Sequence, residues 1–104
     1  MKREKGFFMV FIDEKKQVIT LEGELGVLEA ESIYREIHFQ IDKIKEWDKI
    51  ILNLREVEKM DSSVFQILLS FYQTYKEKIV FRGFSKEAER VFQLHGLKVK
   101  NKKS

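Results

Sequence analysis

The sequence predicts an α/β fold built on a mixed sheet whose later strands run parallel. Three observations carry that expectation. Segments whose apolar residues alternate, or run on over a strand length, exchange with segments whose apolar residues recur at helical spacing. Their order is β-β-α-β-α-β-α, so each of the two later strands is reached across a helix and followed by one, the arrangement of right-handed crossovers. The chain has no Pro, no repeat and no low-complexity linker, so its 104 residues form one domain over 1–104.

The elements follow in order. "GFFMVFID" at 6–13 and "KKQVITLEG" at 15–23 are β-rich runs separated by Asp13-Glu14-Lys15, a hairpin. In the second run Val18, Thr20 and Glu22 alternate with Gln17, Ile19 and Leu21, which resolves one apolar face only in part. Ala30, Ile33, Tyr34, Ile37, Ile41 and Ile44 form a helical stripe over about Val27 to Trp47, with Glu29, Arg35, Glu36, Asp42 and Lys43 opposite. "KIILNL" at 49–54 is nearly continuous and apolar, a strand covered on at least one face, and "REVEKMD" is the loop leaving it. Val64, Leu68, Phe71, Tyr72 and Tyr75 then make a second helical stripe, and Phe65, Ile67 and Leu69 extend its apolar surface beyond it. "EKIVFRGF" at 77–84 is a further strand. Ser85 caps a short helix with Ala88, Val91, Phe92 and His95 inward, Gly96 stops it, and Leu97 with Val99 begins a last short strand.

Composition excludes several chemistries. There is no Cys, which removes disulfides, thiol nucleophiles and thiolate metal sites and fits an intracellular, cytoplasmic address. Nine Phe, three Tyr and one Trp within 43% hydrophobic residues are enough to fold without a metal. No apolar run approaches the roughly 18 residues of a membrane span, and no small-residue cleavage site follows "FFMVFI". Net charge is +3, but residues 85–104 alone carry +4 and the remainder −1. The basicity is that of a C-terminal tail, about 98–104, read as solvated and dispensable for folding; no nucleic-acid motif accompanies it. The two histidines lack the spacing of a catalytic or metal site: His38 falls on the polar side of its helix and His95 at the end of an apolar stripe. Glu22 and Glu24 alternate onto one exposed strand face as solubilising charge. No catalytic residue, metal or cofactor is expected.

Polarity is concentrated at one unusual place, "KMDSSVF" at 59–65, an acid and two hydroxyls between "IILNL" and "ILLSFY". In parallel sheets function gathers at loops beyond the carboxyl ends of strands, and this is such a loop. Asp and Ser at a helix start also accept hydrogen bonds from free backbone N–H groups, so capping by itself explains Asp61-Ser62-Ser63.

The stretch from "KIILNL" to "QLHGL", preceded by "LEGEL" at 21–25, resembles the STAS domains of bacterial anti-sigma factor antagonists. The shared pattern is an apolar strand ending in Asn-Leu, a short loop, Asp-Ser-Ser, a helix, a second strand, and a helix ending in Gly-Leu. The resemblance covers about Leu21 to Leu97. It implies a sheet of four to five strands with the helices mainly on one side, no enzymatic activity and no cofactor. It also implies a partner that is at once an anti-sigma factor and a serine protein kinase, which binds the unphosphorylated domain and switches it off by phosphorylating Ser62, with Ser63 the neighbouring hydroxyl. Asp61, Ser62, Ser63, Val64, Phe65, Gln66 and Leu69 are then the contact residues, no nucleic acid or membrane is bound directly, and the chain is a monomer or weak dimer. The family's usual Gly-Leu-Gly is Val64-Phe65-Gln66 here, and the Asp usual after Gly-Glu-Leu is Gly26. A rival reading keeps the fold and makes Ser62 only a cap, in an interaction module of a larger transport, lipid-trafficking or signalling assembly.

Overall fold

The computed structural model describes residues 7–96. The hairpin strands β1 (Phe8–Asp13) and β2 (Val18–Leu25) pair antiparallel, with Phe8 facing Gly23 and Asp13 facing Val18. Their turn is closed by Asp13, whose Oδ1 accepts from the Lys16 N–H at 3.1 Å. Next come α1 (Val27–Phe39), a single-turn α2 (Ile41–Ile44), β3 (Ile50–Met60), α3 (Ser62–Thr74), β4 (Ile79–Phe84) and α4 (Lys86–Leu94). The sheet order is β1-β2-β3-β4, and β2, β3 and β4 are mutually parallel. This is the expected order and the expected mixed sheet.

Two elements differ from the sequence reading. The first helical stripe does not belong to one helix: α1 ends at Phe39, Gln40 takes φ −106°, ψ 15°, and its N–H turns to Ile37 in a tighter, three-residue bond. The stripe survives the break, since Ile44 and Trp47 remain buried. The larger correction is that "REVEKM" is strand. β3 continues to Met60, leaving Asp61 alone between β3 and α3. The cause lies in two bulges. Thr20 faces Asn53 while Glu22 faces Glu56, and Gly23 faces Val57 while Glu24 faces Lys59, so β3 twice carries one residue more than β2. Each extra residue resets the alternation, and the buried positions of β3 fall at Leu54, Val57 and Met60, three apart. A spacing of three does not read as strand.

All buried side chains form one cluster between the sheet and the helices. Ile19, Leu21 and Leu25 of β2, with Ile50, Leu52 and Leu54 of β3, meet Ile33 of α1 and Val64 and Leu68 of α3, all fully buried. Burying each such aliphatic side chain contributes roughly 1.5–3 kcal/mol. An aromatic group ties α3, β4 and α4 together: Phe65 meets Phe92 edge-to-face at 5.0 Å, and Phe84 and Phe81 meet Phe92 at 5.2 and 5.5 Å. The opposite sheet face is left open, with Met9, Phe11 and Val80 exposed. Helix α4 ends as expected, with Gly96 at φ +81° and its N–H on the Gln93 carbonyl at 3.0 Å. The expected last strand at 97–99 and the basic tail lie outside the described residues.

Candidate functional site

Because β2, β3 and β4 are parallel, their carboxyl ends lie at one end of the sheet, and each passes through a single residue into a helix. Leu25 leads through Gly26 into α1, Met60 through Asp61 into α3, and Phe84 through Ser85 into α4. The junctions are fastened side by side. The Asp61 N–H donates to the Leu25 carbonyl at 2.9 Å, and the Ser85 N–H to the Leu54 carbonyl at 3.0 Å. Three helix N-termini thus face one edge, and the partial positive charge of helix starts gathers there.

Within this edge the polar residues of "DSS" divide their work. Asp61 is the N-cap of α3, with extended backbone at φ −80°, ψ 156°. Its Oδ2 accepts from the Ser63 N–H at 2.8 Å and again from the Ser63 hydroxyl at 2.7 Å, while its carbonyl accepts from Val64 and Phe65. The Ser63 hydroxyl and N–H together hold the Asp61 carboxyl below the usual aspartate range. Ser62 takes no part in this. Its side chain is exposed, and its hydroxyl makes no hydrogen bond among the described residues. The cap is complete without it.

The other expected contact residues separate into surface and core. Asp61, Ser62 and Gln66 are exposed, Ser63 and Leu69 half-buried. Val64 and Phe65 are 0% and 1% exposed and belong to the core. Val64, two residues past Ser62, points away from it on a helix of 3.6 residues per turn, whereas Phe65, three residues on, shares the Ser62 side and is buried because Phe92 and His95 pack over it. Val64 in place of the family glycine therefore changes core packing, whereas Gln66 changes the surface. Gln66 lines a groove of about 450 Å³ between α1 and α3, with Tyr34, Ile37 and His38 on the far wall.

Topology adds neighbours that sequence spacing did not reveal. Glu87 and Arg90 form a paired contact at 2.8 and 3.1 Å, and Arg90 with the Met60 N–H and Lys59 lowers the Glu87 carboxyl from its ordinary value. Their signal lay in the parallel crossovers, which set the start of α4 beside the end of β3. The histidines are engaged elsewhere. His95 stacks on Phe65 at 4.1 Å with Nδ1 2.9 Å from the Val91 carbonyl, and His38 stacks on Tyr34 at 5.4 Å. Among the described residues no three His, Cys, Asp or Glu side chains stand close enough to hold a metal, and no helix is long and apolar enough to cross a membrane.

Comparison with known proteins agrees with this architecture. The crystal structure of an anti-sigma factor antagonist from Mycobacterium paratuberculosis superposes with a TM-score of 0.61 at 18% identity, over 88% of this chain and 79% of that one. At that identity the likeness is one of fold. No match is found among curated proteins. The family model for the STAS domain matches residues 10–102, nearly the whole chain, and includes both the Asp-Ser-Ser junction and the sheet that carries it, so this chain belongs to the STAS domain family.

Proposed function

We propose that this chain is an anti-sigma factor antagonist: a bacterial, cytoplasmic binding domain, not itself an enzyme, that engages an anti-sigma factor and is switched off by phosphate on Ser62. The observation that carries the reading is the free hydroxyl. Asp61 and Ser63 satisfy the start of α3 between them, so Ser62 has no structural task and stands exposed at the end of the parallel strands. In the transfer, Ser62 Oγ bonds to the γ-phosphorus of ATP, the bond to the β-γ bridging oxygen breaks, ADP leaves, and the hydroxyl proton passes to the kinase's own base. The product is tolerated by the fold, because a phosphate at a helix N-terminus meets the positive end of the dipole. It also sets roughly −1.5 to −2 charges beside an Asp61 that remains ionised. That charge repels an acidic partner surface that the unmodified edge accepts. Gln66, one turn along the exposed side of α3, and half-buried Leu69 extend the contact surface.

The test uses the full chain, the purified partner kinase and ATP. One phosphate on Ser62, abolished by Ser62→Ala and unaffected by Ser63→Ala, is the expected result. Phosphate on Ser63 alone, or none with an active kinase, rejects the switch and leaves the family's other use, an interaction module in which the junction is only a cap.

A further inference from the structure

Strand β1 has no neighbour on its outer side among the described residues. The Glu24 N–H donates to the Phe7 carbonyl at 2.7 Å, and backbone groups of successive residues in an antiparallel strand point to alternate sides. In this register Phe7, Met9, Phe11 and Asp13 spend their N–H and C=O groups on β2, and Phe8, Val10 and Ile12 turn theirs outward. The bond from the Ile51 N–H to the Gln17 carbonyl, 3.0 Å, on the far side of β2 requires the same alternation.

Such edges are ordinarily blunted by a charge, a Pro or a bulge. The other edge strand, β4, carries Arg82 and a register slip between Leu52 and Leu54. Along β1 the run from Phe8 to Ile12 has no charge and no Pro, and its pairing with β2 is unbroken. No helix roofs it either: a groove of about 240 Å³ lies between Phe8, Met9 and Val10 and the Ser32 and Glu36 side of α1. On the open sheet face Phe11 is 54% exposed and Met9 38%.

We propose that β1 is a self-association edge, on which a second copy of this chain pairs its own β1 antiparallel about a two-fold axis through Val10, continuing the sheet across both copies. The segment is self-complementary in that register and in no neighbouring one. With the axis at Val10, Phe8 faces Ile12 of the second copy and Val10 faces Val10, so every outward N–H and C=O is bonded reciprocally. A slip of two residues either way leaves part of that row unpaired. Met9 then faces Phe11 of the second copy at the non-hydrogen-bonded positions, where Cα atoms approach to about 4.5 Å. The apolar side chains that β1 leaves on the open face are covered by each other, and the groove beside α1 receives the inner row of the added strand.

The chain has no cysteine, so introduced thiols report the register alone. Sedimentation of the full chain should show a reversible monomer–dimer equilibrium. M9K/F11K sets like charges directly opposite across the axis and should raise the dimer dissociation constant by about tenfold or more, with the circular dichroism and the monomer's thermal midpoint unchanged. V10P, which removes an outward N–H without breaking the β1–β2 ladder, should act in the same direction. Under mild oxidation Met9→Cys mixed with Phe11→Cys should yield a disulfide-linked pair that neither variant forms alone. A wild-type chain that stays monomeric at sub-millimolar concentration overturns the proposal and leaves the edge for a strand of another protein. A dimer untouched by M9K/F11K, or cysteines that cross-link equally well unmixed, overturns it too.

Discussion

Asp61 accepts from both the N–H and the hydroxyl of Ser63, and that double hold caps α3 without Ser62. Asp61→Ala should therefore lower the urea midpoint clearly, whereas Ser62→Ala should leave it nearly unchanged, a contrast that chemical denaturation of the two variants reads directly. At the neighbouring junction Ser85 Oγ accepts from the Ala88 N–H at 3.0 Å, and Ser85→Ala should cost about 1 kcal/mol in the same measurement. The pH dependence has a definite sign. The native Asp61 carboxyl lies below its ordinary value, so its contribution is full above the usual aspartate range and is lost as pH falls through the native value. Glu87, lowered by Arg90, acts in the same sense. The urea midpoint should fall below about pH 4, and less steeply in Asp61→Asn, which keeps an acceptor but does not titrate. That a cap stood at this position was legible from the letters Asp-Ser-Ser. Which of two adjacent serines the carboxylate holds was not, because either hydroxyl is chemically suited and backbone geometry alone decides between them.

At the scale of elements, helices were legible by their stripes and short strands by their runs, but β3 was read only to Leu54. Its second half alternates with a period altered by two bulges, so Val57 and Met60, both buried, belong to a strand that looks in sequence like a charged loop. The partner strand shows where the irregularity is accommodated. Gly23 sits at φ +90°, and a Cβ there would lie 1.9 Å from the Phe7 carbonyl oxygen. Gly23→Ala should cost at least ~1–3 kcal/mol, measured by urea denaturation, since neither the backbone angle nor the neighbouring strand can accommodate it. The full burial of Val64 and Phe65 on α3 was not legible either. The sequence showed α3 to be apolar well round its circumference, but only the packing of α4 across β3 decides that Phe65 faces Phe92 and His95 and not a partner. Phe92→Ala should lower stability by about 3–5 kcal/mol and loosen the start of α4 beside Asp61.

Seen whole, the molecule is a sheet with its helices and core on one face, an open opposite face, and an end at which three parallel strands deliver three helix starts. The topology follows from element order and was legible early; the convergence of Glu87, Met60 and Asp61 needed the crossovers to be closed in space. This division of space suits the proposed switch: the Ser62 hydroxyl projects from a helix start, while buried residues of α3 turn into the core. Added charge at Ser62 therefore acts on what docks there and not on the sheet beneath. The most direct test is the affinity of the anti-sigma factor for this chain before and after stoichiometric phosphorylation of Ser62, by titration calorimetry, with the thermal midpoint recorded alongside. The expected result is tight binding by the unmodified chain, a loss of about tenfold or more on phosphorylation, and a midpoint that stays put. Equal affinity of the two forms for that partner would contradict the assignment of Ser62 as the switch.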